Sequence, residues 1–268
     1  MAENVLTRNN VKVSGRGTQT LMFAHGFGCD QNMWRFVAPA FEADYKIVLF
    51  DYVGSGKSDL NAYKPERYGD LKGYVQDVLE ISDALSLENV IFVGHSVSGM
   101  IGALASIKHP GLFKKLILIV PSPCYINQPP DYVGGFERAD IEGLLEMMDK
   151  NYLGWASFLA PVIMKNENQP ELGKELEASF CSTDPKIARR FAEATFYSDH
   201  RAVLPRVTTP SLIVQTTDDA IAPVSISEYM QREMPNAALE LLEASGHCPH
   251  MSHPRETIEI IKNYLTQN

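Results

Sequence analysis

The sequence predicts an α/β fold, in which a mostly parallel, twisted β-sheet is flanked by helices and carries an inserted helical cap. Three observations predict it. Short continuous apolar segments are typical of strands buried on both faces of a sheet, helical patterns separate these segments, and one interval is far longer than a single crossover needs. The 268 residues, 45% of them apolar, are enough to build one large core.

The strands and helices of this sheet alternate along the chain. Segments rich in Val, Ile, Leu and Phe, and a weaker one near the end, predict strands over 21–26, 46–51, 89–96, 115–122, 211–219 and 238–244. Amphipathic patterns predict helices over 31–41, 74–85, 97–108, 223–234 and 254–265. Residues 5–15 have the pattern of an edge hairpin. The alternation implies right-handed crossovers between parallel strands.

The interval between Val120 and Ser211 predicts the cap. A whole β-α-β unit occupies only about 30 residues, so roughly sixty of the residues in this interval are surplus. Residues 134–164, 171–180 and 187–196 have helical patterns rather than loop composition. We therefore assign residues 1–120 and 211–268 to the α/β core, and residues 121–210 to the cap and its return segment.

The charge balance and the cysteines exclude several classes of protein. The 24 basic and 33 acidic residues give a net charge of −9, which repels phosphate backbones, so nucleic acid is not expected as a partner. No apolar run approaches the roughly 20 residues of a membrane span, and the amino terminus lacks the apolar core of a signal peptide. The four cysteines form no C-x-x-C pair, which favours reduced thiols. We expect a cytoplasmic protein that needs no metal and no cofactor.

The candidate nucleophile is Ser96, in the segment GHSVSG that follows the apolar run NVIFV. A serine at the apex of a sharp strand-to-helix turn needs small neighbours, and its oxygen then projects next to the helix amino terminus. Gly94 is one such neighbour, and Ser98 stands where a second glycine is usual. Taken alone, this segment is equally consistent with a structural turn.

Two later residues supply the partners that a nucleophilic serine requires. Asp219 ends one predicted strand and His247 follows the last one, which gives the chain order Ser, Asp, His. In this hypothesis Ser96 attacks a carbonyl, His247 takes and returns the proton, and Asp219 orients the imidazole. The alternative is that Asp219 caps the next helix and His247 binds a loop carbonyl. Asp218 is the competing acid, and we expect it to be solvated.

An anionic intermediate also needs hydrogen-bond donors. The backbone amide after the nucleophile belongs to Val97, and a second amide, that of Phe27, lies in the segment HGFG after an early strand. The flanking glycines let this backbone approach a substrate closely. An ordinary glycine turn is the alternative for HGFG.

Two further patterns do not predict a site. Residues 54–58, GSGKS, end like a phosphate-binding loop, but that loop requires glycine where the chain has Asp51. His247, His250 and His253 recur every third residue, yet prolines interrupt them and they form no i, i+4 pair on a helix. We therefore expect no metal ion to bind there.

The cap predicts the surroundings of the serine. Trp155 and Leu159 are four residues apart on a predicted helix and hence on one face, and Phe136 and Phe196 lie in cap segments that can approach the sheet. Together they predict an enclosed apolar substrate pocket. The alternative is that these four side chains only pack the cap onto the core.

Several long strings resemble a known family. GFGCDQNMW from Gly26, FDYVGSGKSDL from Phe50 and GHCPHMSHP from Gly246 resemble the α/β-hydrolase fold family and, within it, the RsbQ-like regulators of the bacterial stress response. The karrikin and strigolactone receptors are similar more distantly, through GFG, DQ, GHSVS and a D-x-x-x-P spacing. That spacing selects Asp219 over Asp218.

The resemblance implies a serine hydrolase with the triad Ser96, Asp219 and His247 under a four-helix cap, acting on a small hydrophobic ester or lactone. It also implies a positive regulator that acts with a PAS-domain serine phosphatase in the energy-stress branch that activates sigma-B. Two alternatives remain: a metabolic carboxylesterase without a signalling partner, and a small-molecule sensor in which the triad contributes little.

Overall fold

The protein is built on a seven-stranded sheet, seen in a computed structural model that describes residues 4–266. Residues 1–3 and 267–268, which we assign to the core from the sequence, lie outside the described residues. The strands are β1 Lys12–Ser14, β2 Thr20–Ala24, β3 Lys46–Leu49, β4 Val90–His95, β5 Phe113–Ile119, β6 Ser211–Asp218 and β7 Ala237–Ser245. Their order is β1-β3-β2-β4-β5-β6-β7, and all pairs except β1 with β3 are parallel. The predicted α/β class is confirmed.

Helices flank this sheet and form the segment above it. They are α1 Val5–Arg8, α2 Leu71–Ala84, α3 Val97–Lys108, α4 Arg138–Lys150, α5 Tyr152–Met164, α6 Pro170–Ser182, α7 Pro185–Phe196, α8 Val224–Glu233, α9 Pro249–Ser252 and α10 Pro254–Thr266. Short 3-10 helices lie at Gln31–Trp34, Ala38–Phe41, Leu60–Ala62 and Arg201–Arg206. Among the residues described, no helix is both long and apolar enough to cross a membrane.

The central strands place the candidate residues at one edge of the sheet. Strands β2 and β4 are buried along their whole length, which their continuous apolar sequences predict. Strands β4, β6 and β7 run parallel within the sheet, so their carboxyl ends meet at the same edge. Ser96 follows β4, Asp219 follows β6 and His247 follows β7.

Two local predictions are wrong. Residues 5–15 do not form a hairpin: they form α1 and β1, and Lys12 pairs with Leu49 of β3 rather than with a residue of the same segment. The helix predicted over 31–41 is divided into two 3-10 helices, because Pro39 lacks the N–H that a continuous helix would use.

The segment between β5 and β6 contains α4 to α7. Helix α5 packs against α4 and α6, and α4 packs against α7. The segment leaves the sheet after β5 and returns in its neighbour β6, where Ile119 pairs with Val214. Its helices are therefore carried over the edge where the three candidate residues lie.

Candidate active site

Ser96 lies at a strained turn between β4 and α3. Its φ of 55° and ψ of −122° are unusual for a residue with a side chain. The turn is so tight that a Cβ on Gly94 would lie 2.5 Å from the Ser98 carbonyl oxygen, and one on Gly99 would lie 2.8 Å from Pro121. This sharp turn, the nucleophile elbow, therefore has the small neighbours that it requires, and Ser98 fits in place of the second glycine.

The structure brings Ser96, His247 and Asp219 into one hydrogen-bonded chain. The Ser96 Oγ lies 2.8 Å from His247 Nε2, and His247 Nδ1 lies 2.7 Å from Asp219 Oδ2. The other Asp219 oxygen accepts from the backbone N–H groups of Ile221 at 2.7 Å and Ala222 at 3.1 Å. The Asp219 side chain is fully buried and that of His247 is 5% exposed.

The ionisation state of Asp219 determines where the protons lie in this series of hydrogen bonds. Burial alone would raise the pKa of Asp219, but the adjacent His247 ring and three hydrogen bonds together hold it below its usual value. An ionised carboxylate only accepts, so His247 Nδ1 carries the proton and Nε2 accepts from the Ser96 hydroxyl. Ser96 is thus positioned to lose its proton to His247.

The competing acid, Asp218, is not part of this series of hydrogen bonds. Asp218 is exposed, and its carboxylate accepts hydrogen bonds from Lys165 and, at 2.9 Å, from Ser245. These contacts lower the pKa of Asp218. Neighbouring aspartates therefore face in different directions, one toward His247 and one toward solvent.

The two predicted amide donors flank Ser96. Val97 is the first residue of α3, so its N–H has no partner within the helix. Phe27 lies in the loop after β2, and a Cβ on the preceding Gly26 would come within 3.4 Å of Ser96 Cβ. Within residues 4–266, neither N–H has a hydrogen-bond acceptor. Both amides remain available to an oxygen placed beside Ser96.

Ser98 ties the elbow to this loop. Its hydroxyl donates to the His25 carbonyl oxygen at 2.5 Å and accepts from the Tyr52 hydroxyl at 2.9 Å. His25 Nδ1 in turn donates to the Gly26 carbonyl oxygen at 2.8 Å. The serine that departs from the usual glycine thus holds the backbone next to Phe27 in place.

His95 supports the other side of the site, a role that the sequence did not reveal. Its Nε2 donates to the His247 carbonyl oxygen at 2.7 Å. Burial, followed by the neighbouring His247 ring, lowers the pKa of His95 to about 3, so the ring is neutral and holds a single ring proton. The backbone of His247 is also held by its own N–H, which donates to the Ile163 carbonyl oxygen of α5 at 2.8 Å.

A small, mostly apolar cavity adjoins Ser96 and His247. Its volume of about 30 Å³ is enough for about two water molecules. Side chains from the cap form much of the wall, which consists of Phe27, Cys29, His95, Ser96, Tyr125, Phe136, Leu144, Leu159, Ile163, Leu176, Phe180, Thr195, Phe196, Ile221, His247 and Cys248. The cap therefore closes directly over the candidate nucleophile.

Three of the four predicted pocket residues line this cavity, and one does not. Phe136, Leu159 and Phe196 are in the wall. Trp155 is buried behind it, with its ring 4.9 Å from that of Phe180 and 6.1 Å from that of Phe27. The i, i+4 spacing correctly placed Trp155 and Leu159 on one buried face, but the rings of Phe27 and Phe180 occupy the space between Trp155 and the cavity.

Sequence patterns missed Tyr125, which lies beside the nucleophile. The Tyr125 hydroxyl is 3.3 Å from Ser96 Oγ, and because the serine proton is given to His247, the tyrosine is the donor. Its signal was its place soon after β5, at the same edge of the sheet. Burial, the largest effect, raises the pKa of Tyr125 to about 12, so this hydroxyl keeps its proton.

Helix α6 is held against the loop that carries Phe27. Ser179 Oγ donates to the Gly28 carbonyl oxygen at 2.8 Å, and the Phe180 ring covers Gly28 so closely that a Cβ there would lie 2.1 Å from it. An ion pair of 2.6 Å between Arg35 and Glu175 adds a more exposed contact. Movement of the cap would therefore also move the loop that carries the candidate amide donor Phe27.

Known proteins resemble the chain along most of its length. A family model described as the alpha/beta hydrolase fold matches residues 19–254. Strigolactone esterase D14 of Arabidopsis thaliana is 38% identical over 263 residues, 98% of each chain. Karrikin insensitive 2 receptor CA of Petunia hybrida is 38% identical over 258 residues, 96% of this chain and 95% of the relative.

One solved structure has a higher sequence identity to this chain than these two relatives have. It is olei00960, a hydrolase from Oleispira antarctica, with 48% identity and a TM-score of 0.97 over 99% of this chain and 97% of that one. The named hydrolase and esterase among these proteins confirm the predicted hydrolase class. Together with the sheet topology and the family match, they establish that the chain belongs to the α/β-hydrolase fold family.

Proposed function

We propose that the protein is a serine hydrolase that cleaves a small hydrophobic ester or lactone through an acyl-enzyme. The observation that carries this proposal is the hydrogen-bonded chain from Ser96 Oγ to His247 to Asp219, at 2.8 and 2.7 Å. The apolar wall supports a hydrophobic substrate, because few polar groups are present to replace the hydration of a charged one.

In the proposed first step, Ser96 Oγ forms a bond to the carbonyl carbon while its proton passes to His247 Nε2. The carbonyl π electrons move to oxygen, and the amides of Phe27 and Val97 donate to this anion. Asp219 stabilises the imidazolium through Nδ1–H. The carbon–oxygen bond to the leaving alcohol then breaks, and the alcohol takes the proton from His247.

Water completes the cycle by the same route. His247 takes a proton from water as its oxygen attacks the acyl carbon, and the second tetrahedral intermediate collapses to the acid. Ser96 leaves as the displaced alcohol and regains its proton from His247. For a lactone, the alcohol and the acid remain in one molecule.

The test uses a fluorophosphonate inhibitor and the variant Ser96→Ala. Intact-mass spectrometry is expected to show one adduct on the wild-type protein, mapped to Ser96, and none on the variant, whose turnover of p-nitrophenyl acetate falls at least about 10⁴-fold. Ser106→Ala, in the same helix α3 but with a hydroxyl that donates to the Ala103 carbonyl oxygen, is the matched control and keeps both the adduct and the turnover. Unchanged turnover in Ser96→Ala would contradict the proposal.

We also propose that this hydrolase acts as a cytoplasmic, RsbQ-like positive regulator of a PAS-domain serine phosphatase. The support is the resemblance of the strings from Gly26, Phe50 and Gly246 to that group, and four cysteines that are free thiols are consistent with a reducing compartment. The test looks for such a phosphatase in the neighbouring coding region and measures its dephosphorylation activity with and without the protein. No stimulation would favour a metabolic carboxylesterase.

A sensor is the second candidate, because a relative that is 38% identical is named as a receptor. The two candidates differ in what Ser96→Ala does to stimulation of the phosphatase. Loss of stimulation together with turnover supports a regulator that depends on hydrolysis. Stimulation that survives the loss of turnover, with the ligand still bound, supports a sensor in which the triad contributes little.

A further inference from the structure

The cavity wall contains a hydroxyl group that the proposed reaction does not use and that no described group binds. Thr195, on α7, lines the cavity and is 1% exposed. Its hydroxyl oxygen has no hydrogen-bond partner within residues 4–266. A threonine in a helix usually donates to the carbonyl of the preceding turn, and this hydroxyl does not.

Burying a hydroxyl without a partner is unfavourable, so a partner supplied by a bound molecule has a physical basis. The neighbouring polar groups of the wall are engaged or covered. Tyr125 donates to Ser96. His95 Nδ1 also lacks a hydrogen-bond partner among the described residues, but the backbone of Gly26 lies so close to it that a Cβ there would be 2.5 Å away. Thr195 therefore differs from them in having both a free hydroxyl and a place in the wall.

We infer that Thr195 is a specificity-determining residue, whose hydroxyl binds a second oxygen atom of the substrate, distinct from the ester group that reacts with Ser96. The substrate class is then a small ester or lactone that carries an ether, hydroxyl or carbonyl oxygen away from the scissile bond. This inference rests on the proposed function. It distinguishes the substrate from a purely hydrocarbon ester, which the other wall residues would accept equally well.

The experiment compares esters that differ only by one oxygen in place of a methylene. On the acyl side the pair is p-nitrophenyl methoxyacetate and p-nitrophenyl butyrate, and on the alcohol side it is 2-methoxyethyl acetate and n-butyl acetate. The ratio of kcat/KM within each pair is measured for the wild type and for Thr195→Val, which keeps the shape of the side chain and removes the hydroxyl. Intrinsic reactivity cancels when the two ratios are compared.

We expect the wild type to favour the oxygen-containing ester of at least one pair, and Thr195→Val to lose that preference by about tenfold, mainly through KM. Thr195→Ser retains the hydroxyl and is expected to retain the preference. Thr195→Ala lacks the hydroxyl and must behave like Thr195→Val. Equal ratios in the wild type and in both variants without the hydroxyl, for both pairs, would overturn the inference.

Binding separates this inference from the proposed function. In a Ser96→Ala background, calorimetry with the same four esters compares the protein with and without Thr195→Val. A wild type that hydrolyses none of the esters would refute the proposed function. The same loss of relative affinity on removing the hydroxyl would still support the role of Thr195, and its absence would refute that role.

Discussion

At the scale of single residues, two neighbouring aspartates provide a sharp test of the triad. Asp219→Asn keeps the size of the side chain but presents an amide to His247 Nδ1, so the imidazole is no longer held in the tautomer that accepts from Ser96. We expect kcat for p-nitrophenyl acetate to fall about 10³- to 10⁴-fold with little change in KM. Asp218→Asn is the matched control, because that side chain contacts Lys165 and Ser245 instead. Equal effects of the two changes would contradict the assignment.

The same scale shows what sequence alone reveals of the site. Chain order at the ends of strands selects Ser96, His247 and an aspartate at 218 or 219, since parallel strands bring those ends to one edge, and the D-x-x-x-P spacing shared with the receptors then selects Asp219. Tyr125 and Thr195 carry no comparable signal, because a hydroxyl in a helix or loop becomes significant only when the surrounding side chains bury it. Trp155 was wrongly predicted to line the cavity, because helical periodicity shows which face of a helix a residue lies on but not how far that residue lies from the cavity.

At the scale of elements, we expect the contact between α6 and the loop after β2 to control the geometry of the site. Gly28 has a φ of 69°, and Gly28→Ala places a methyl group 2.1 Å from Phe180, so α6 or the loop must move. We expect kcat/KM for short esters to change at least fivefold, beyond a loss of stability of about 1 kcal/mol from the positive φ. The measurement is steady-state kinetics together with urea unfolding.

Gly111→Ala is the control for that change. Gly111 also has a positive φ, of 90°, but a methyl group there meets no atom within 4 Å. It is expected to reduce the free energy of unfolding by a similar amount, about 1 kcal/mol, and to leave kcat/KM unchanged. Parallel kinetic effects of the two substitutions would show that strain, rather than displacement of α6, is responsible.

The elements themselves were largely predictable from the sequence. Strands such as β4 and β5 contain continuous apolar runs, and the pattern locates their ends within three residues. The pairing of β1 was not predictable, because residues 12–14 are exposed and have no apolar pattern to fix a partner. The 3-10 helices around Pro39 also differ from the predicted single helix, since a proline in a helical pattern can either start a new helix or interrupt an existing one.

At the scale of the whole molecule, buried histidines make stability depend on pH. Burial lowers the pKa of His25 and His250, and it is also the largest effect on His95, which reaches about 3. The unfolded chain takes up protons on these rings below its pKa of about 6.5 and the folded chain takes up fewer, so the free energy of unfolding falls as the pH decreases below about 6.5. Burial raises the pKa of Asp77, which opposes this trend at the acidic end.

Each of these histidine rings contributes up to about 1.4 kcal/mol per pH unit to the slope, and the half-buried His200, whose pKa is also lowered by burial, adds to it. His250→Phe keeps a ring against His95 and Trp34 and removes one titrating group, so urea unfolding at pH 7, 6 and 5 should show a slope reduced by up to about 1.4 kcal/mol per pH unit. Trp34→Phe alters the same packing without a titration and should shift all three values equally. An unchanged slope in His250→Phe would refute this explanation.

The position of the cavity beneath the cap has a consequence for how affinity is tuned. For a ligand that needs more room than the cavity of about 30 Å³ and binds only when the cap opens, the apparent dissociation constant is the intrinsic one divided by the open fraction. An open population of about 1% would weaken every ligand by about 100-fold alike. Changes at the contacts that hold α6 therefore scale all affinities together, whereas changes in the cavity wall alter their ranking, so sensitivity and selectivity can evolve through separate residues.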